Sequence, residues 1–168
     1  MRLFSLTLLK TLESAQVKYV LVGGLALNLH GVIRATMDID LVVALDEDNF
    51  SRAVAALRSL GLEPAIPVSW DEVLQPGQLE RWGDEKNLIA LSLRKPQGYD
   101  PTLDLLIKSP LPFDQLYANR VVKNIGGTAV SVASIDDLIA MKRAAQRKID
   151  LSDIEALESL KHMQGSSS

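Results

Sequence analysis

The chain reads as an α+β fold: a mixed sheet flanked by helices, with further helices gathered at its C-terminal end. Three patterns predict this. Short apolar runs with strand length and alternation occur at Tyr19–Val22, Met37–Val43 and Thr102–Ile107. Segments with apolar residues every three or four positions lie between and around them. From Ser134 onward the periodicity is helical only. With 168 residues, the chain has the length of one domain able to bury most of its apolar surface. That domain is expected over residues 1–164, with 165–168 a frayed tail resembling a cloning remnant.

Composition removes several kinds of chemistry. Nearly half the residues are apolar and about a quarter charged, as in an ordinary globular protein. A net charge of −3 lacks the basic excess of a broad nucleic-acid footprint. The absence of cysteine rules out disulfides, thiolate zinc sites and cysteine nucleophiles. His30 and His162 are too few for a histidine-rich metal site, so any metal would be held mainly by oxygen, which points to Mg²⁺ or Mn²⁺. The leucine-rich N-terminus is interrupted by Ser5, Thr7, Lys10 and Glu13. Phe4, Leu8, Leu12 and Ala15 then mark an amphipathic helix rather than a signal peptide or membrane span. The expected location is cytoplasmic.

Taken in order, Tyr19–Val22 is a buried strand, Gly23-Gly24 a turn and Leu25–His30 a short helix. Free backbone amides at the start of that helix would attract an anion, phosphate above all. Arg34 and Thr36 follow in a loop. Met37–Val43 is the next strand, sending Ile39, Leu41 and Val43 to one face and Asp38 and Asp40 to the other. Asp46 caps a helix over Glu47–Leu60 that presents Val54, Leu57 and Leu60, with Gly61 as its stop. Glu63–Asn87, with its prolines, glycines, Trp70 and Trp82, is irregular and has the character of a lid or binding loop, with only a short helix at Asp71–Leu74 conceivable. Packing is the preferred role of the tryptophans over stacking on a base.

Leu88–Leu93 and Thr102–Ile107 are strands separated by a turn at Gln97–Pro101. Pro110–Asn119 is a short helix. Arg120–Ile125 and Thr128–Val132 form a hairpin around Gly126-Gly127. Ser134 starts a helix through Lys148 with Leu138, Met141, Ala145 and Ile149 inside. Asp150 or Ser152 then caps Asp153–Met163, where Ile154, Leu157 and Leu160 face inward.

The acids carry the chemistry. Carboxylates at i and i+2 of a strand sit about 7 Å apart at Cα, able to converge on cations about 3.5–4 Å apart, as in two-metal phosphoryl transfer. Asp104, between Leu103 and Leu105, is a third acid inside an apolar strand, and such carboxylates must be paired, hydrated or coordinating. Asp46, Asp48 and Asp71 read as caps or surface charges. Arg34 could clamp a triphosphate and Thr36 add a hydroxyl. Gly23-Gly24 could equally be steric necessity, His30 could be structural or a ligand contact, and a solvated side chain is the default for Lys142.

Together Gly23-Gly24, Arg34-x-Thr36, Asp38-Ile39-Asp40 and Asp104 resemble the DNA polymerase β-type nucleotidyltransferase superfamily. More narrowly, they are similar to small abortive-infection and toxin–antitoxin nucleotidyltransferase-like proteins, whose pattern continues in a helical region like Leu138–Ile154. The resemblance implies a nucleotidyltransferase-like sheet and Mg²⁺-dependent transfer of an NMP from an NTP to a hydroxyl of RNA or protein. By the same likeness Gly23 and Gly24 bind phosphates, while Asp38 and Asp40 hold Mg²⁺. Asp104 is third ligand or base, Lys142 touches the nucleotide, and Asp150 or Asp153 is a downstream acid. Many relatives have Gly-Ser where this chain has Gly23-Gly24, so one hydroxyl is missing. An antitoxin or regulatory protein without turnover, bound to a cognate partner, is the alternative. A small-molecule nucleotidyltransferase is a third reading.

Overall fold

The computed structural model describes residues 3–97 and 101–165. α1 (Leu3–Ser14) buries Phe4, Leu8 and Leu12 of the expected stripe, with Ser5 and Leu9 beside them, while Ala15 lies past its end and is half-buried. β1 (Tyr19–Val22) is buried throughout, and α2 (Gly23–His30) begins directly at its end. After an extended loop come β2 (Ile39–Val43) and α3 (Glu47–Ser59), the latter capped where the Asp46 side chain accepts the Asn49 N–H. β3 (Glu63–Pro64), α4 (Trp70–Val73), α5 (Gln78–Lys86), β4 (Ala90–Arg94) and β5 (Leu103–Leu106) follow. α6 (Phe113–Asn119), the hairpin β6 (Val121–Ile125) and β7 (Thr128–Val132), then α7 (Ile135–Ala145) and α8 (Lys148–Gly165) complete the chain.

Among the described residues the strands form one seven-stranded sheet in the order β3-β4-β5-β2-β1-β7-β6. β2 runs antiparallel to β1 and parallel to β5, and β1 runs parallel to β7; the outer pairs are antiparallel. The sheet is therefore mixed, as expected. Register matters most at its centre, where Val22 lies opposite Asp40, Asp40 opposite Asp104, and Asp104 opposite Ser92. Ile39, Leu41, Leu103 and Leu105 alternate with the two acids and are buried in the core, so strand periodicity places Asp40 and Asp104 together on the opposite side.

One buried polar residue ties this centre together. The Asn49 side chain accepts the Lys18 N–H at 2.7 Å and donates to the Lys18 and Ala44 carbonyls at 3.1 and 2.9 Å. It joins the chain entering β1 to the chain leaving β2.

The structure corrects several expectations. β2 begins at Ile39, not Met37: its first ladder bond among the described residues is the Ile39 N–H to the Thr102 carbonyl. Asp38 thus stands exposed just before the strand. The stretch 63–87 is more ordered than its composition suggests. Ser69 and Glu72 make a reciprocal capping box for α4, and α5 buries Leu79 and Trp82 one turn apart. Trp70 is buried too, its Nε1 donating to the Leu62 carbonyl at 3.2 Å, in keeping with packing rather than an open stacking platform. The helix expected through Lys148 stops at Ala145, where Gln146 turns left-handed with φ of 53°. α8 starts at Lys148, earlier than expected, and Asp150 lies within it instead of capping it. Ala145 and Ile149 consequently face outward, Ile149 being 50% exposed. Gly165 ends α8 instead of fraying. Of the remaining expectations, residues 98–100 of the turn at 97–101 and the tail at 166–168 lie outside the described residues. No described helix is long and apolar enough to cross a membrane.

Asn49→Ala should cost about 1–3 kcal/mol in urea unfolding, since it leaves the Lys18 N–H and the buried Ala44 carbonyl without the amide; a loss under about 0.5 kcal/mol would show that water replaces it.

Candidate active site

The site is built where β1 ends beside the first residues of β2 and β5. Gly23 leaves β1 with φ of +67°, a conformation costly for residues with a Cβ. A Cβ built on it would lie 2.0 Å from Asp40 Oδ2. One on Gly24 would lie 2.8 Å from both Cβ and Oγ1 of Thr36. Both glycines are thus required by close approach, and the Thr36 hydroxyl occupies the space that a side chain at residue 24 would need.

A cavity of about 900 Å³ opens over these groups, at the upper end of the usual range for small-molecule sites. Gly23, Gly24, Arg34, Thr36, Asp38, Asp40, Asp104 and Lys142 all line it. The sequence motifs therefore meet in one place, although they come from β1–α2, the loop before β2, β2, β5 and α7. His30 is elsewhere in role: its Nε2 lies 2.8 Å from the Ala133 carbonyl, a structural contact.

The acids sit on the sheet side. Burial raises the Asp40 carboxyl to about 6, helped by the Asp104 and Asp38 charges and opposed by Arg147 and Arg34. Ser92 Oγ donates to Asp104 Oδ1 at 2.6 Å, leaving Asp104 Oδ2 without that partner. Among the described residues no three acidic or histidine side chains close around a common point.

Three cations line the same cavity, Lys142 from α7, Arg147 from the break between α7 and α8, and Arg34 from the loop before β2. Lys142 is 5% exposed, so it is not the solvated lysine its sequence context suggests. Its Nζ lies 3.1 Å from Asp150 Oδ1 and 2.6 Å from Asp153 Oδ2. Arg34 Nη1 reaches the same Asp153 Oδ2 at 3.0 Å. Arg147 lines the cavity and contacts Asp150 through Nε, Nη2 and its backbone N–H at 3.0, 3.2 and 3.0 Å. Burial alone would raise the Asp150 carboxyl, but hydrogen bonds from Arg147 and Lys142 outweigh it and hold it at about 2.

Arg147 and Ser92 escape reasoning from sequence. Ser92 betrays itself only as the polar position between Leu91 and Leu93, and its partner needs the β4–β5 register. Arg147 sits at a helix break that the periodicity runs straight through.

This is the fold of a nucleotidyltransferase. The chain belongs to the family described as nucleotidyltransferase of unknown function (DUF6036), whose profile matches residues 2–164. Solved structures agree on the fold. A nucleotidyltransferase-like antigenic protein of Paracoccidioides brasiliensis is 24% identical, with a TM-score of 0.56 over 91% of this chain and 72% of that one. The lincosamide antibiotic adenylyltransferase LnuA, solved with lincomycin bound, is 18% identical, with a TM-score of 0.59 over 94% and 95%. A putative nucleotidyltransferase from Thermotoga maritima is 16% identical, with a TM-score of 0.51 over 97% and 91%. No curated protein sequence matches the chain.

Two outcomes are expected. Gly23→Ala should lower stability by at least about 2 kcal/mol in thermal or urea unfolding, from left-handed strain plus the clash with Asp40. Because the folded Asp40 carboxyl titrates near 6, above its unfolded value, its ionisation costs stability as pH rises through that range and costs nothing below the unfolded value. Asp40→Asn should therefore melt higher than wild type above pH 6 without divalent metal. The gain should vanish below about pH 4; an equal gain at every pH would assign it to something other than this carboxyl.

Proposed function

We propose that the protein transfers a nucleoside monophosphate from an NTP to a hydroxyl acceptor, with Mg²⁺ or Mn²⁺ as cofactor. The observation that carries this reading is that three carboxylates, Asp38, Asp40 and Asp104, and three cations, Arg34, Lys142 and Arg147, line one cavity. In the proposed reaction the acceptor oxygen attacks the α-phosphorus, the bond to the bridging oxygen breaks, and pyrophosphate leaves.

The donor set suits a hard divalent cation. Asp38, Asp40 and Asp104 are oxygen ligands only, and Asp40 is held in an unfavourable field of like charge that a cation would relieve. Mg²⁺ is commonly held by one or two carboxylates plus substrate phosphates and water. When bound, the ion would neutralise triphosphate charge and lower the pKa of the acceptor hydroxyl.

The chain's own groups have distinct roles. The amides at the start of α2, by Gly23 and Gly24, receive phosphate oxygens. Thr36 offers a hydroxyl close to where a serine at residue 24 would place one, which offsets the departure from relatives with Gly-Ser. Arg34 and Lys142 face the triphosphate. Asp104 Oδ2, free of the Ser92 contact, takes the acceptor proton or completes the metal shell.

The proposed setting is cytoplasmic, with RNA or protein as acceptor and a cognate toxin or antitoxin as partner. A second reading, an antitoxin or regulator that binds without turnover, draws on the same ion pairs: Arg34 and Lys142 are already neutralised from within the chain.

Labelled NTPs with Mg²⁺ and a panel of RNA and protein acceptors test the proposal. Wild type should label an acceptor, and Asp40→Ala should lose at least about a hundredfold in rate. Equal labelling by both proteins would refute the assignment. Metal-dependent NTP binding without labelling, together with a co-purifying partner, would favour the binding protein.

A further inference from the structure

We propose that Asp150 and Asp153 act as a positioning pair, holding Arg34, Lys142 and Arg147 in the cavity wall in the arrangement that receives a triphosphate. The inference rests on the nucleotide reading above and assigns a task to residues that do not themselves line the cavity.

Asp150 and Asp153 lie one turn apart in α8 and are 1% and 5% exposed. Each grips two cations from different places. Asp153 Oδ2 joins Arg34, from the loop before β2, to Lys142 of α7. Asp150 joins Lys142 to Arg147, in the break between α7 and α8. The distant loop carrying Arg34 is thereby fixed, with α7 and the α7–α8 break, to one helix, and all three cations line the cavity.

Stability alone does not account for the cluster. Buried ion pairs are commonly no better for folding than well-packed apolar residues of similar size, because desolvation consumes the Coulombic gain. Nor is the cluster saturated. Within the cluster three cations face two carboxylates, and of the three N–H donors on Lys142 one is hydrogen-bonded, to Asp150 Oδ1, whereas Asp153 Oδ2 is a close charge with no hydrogen-bond partner. Arg34 Nε is buried with no hydrogen-bond partner. A triphosphate would engage the donors left over on Lys142 and Arg34, and prepaid orientation of the cations is what makes such a contact strong.

Charge-removing variants separate positioning from plain neutralisation by sign. Asp153→Asn keeps the shape but frees Arg34 and Lys142. If Asp153 only offsets their charge, inorganic triphosphate with Mg²⁺ should bind more tightly to the variant. If it positions them, calorimetry should show binding weaker by about tenfold or more, and in NMP transfer the loss should fall on KM for the NTP more than on kcat. A purely structural role would lower the melting temperature while leaving the affinity of folded protein unchanged. The double variant Asp153→Asn/Arg34→Gln should be less than additive in binding energy. If Asp153→Asn does not fold, Asp150→Asn provides the same comparison through Lys142 and Arg147. Unchanged or tighter binding by a folded variant overturns the positioning pair alone. Wild type that binds neither inorganic triphosphate nor any NTP overturns both this inference and the nucleotide reading.

Discussion

Everything at the site depends on the lateral order of β1, β2 and β5. β2 lies between an antiparallel neighbour and a parallel one, so the end of β1 and the middle of β5 meet on opposite sides of Asp40. That order brings Gly23 against Asp40 and sets Asp40 beside Asp104. No change of side chain alone could build this set in a different strand order, because residues 40 and 104 would no longer be cross-strand partners. The glycine is the complement of the acid: the carboxylate of Asp40 fills the volume that any Cβ at residue 23 would claim. Fold and site are fixed by the same contact.

Charge is divided across the cavity by secondary structure. Strand alternation exposes single carboxylates from otherwise apolar ladders, at Asp40 and Asp104. Helical spacing lets two carboxylates one turn apart face the same neighbours, at Asp150 and Asp153. Burial, with the like charges of Asp104 and Asp38 adding to it, makes Asp40 titrate high; hydrogen bonds from Arg147 and Lys142 make the helical acid Asp150 titrate low. Equivalent chemical groups are thus set apart by their surroundings alone.

This division also explains how much could be read from the chain before its structure. β1, the glycine turn, β2 and β5 are legible because short apolar runs with alternating acids have few other interpretations, and the hairpin at Gly126-Gly127 announces itself by its turn residues. α5 is not legible, since Pro76, Gly77 and Gly83 suggest a loop while only Leu79 and Trp82 supply apolar anchors. Asp38 reads as a strand residue because periodicity continues past the point where β5 stops offering a partner. The environment of Lys142 is invisible locally: its partners lie eight and eleven positions later on another helix. Ion pairs of this kind belong to tertiary structure, and propensity carries no trace of them.

The left-handed Gln146 between α7 and α8 has a consequence for any effort to make the protein sturdier. Eight residues along an uninterrupted helix span about 12 Å of backbone, yet here the chain turns back and Lys142 Nζ meets Asp150 Oδ1 at 3.1 Å. A designer improving helix propensity at positions 145–147 would be rewarding the straight rod that competes with this bend. Local gains in order would be drawn from the geometry of the cavity, so the most improvable-looking stretch of the sequence is the one that optimisation should leave alone.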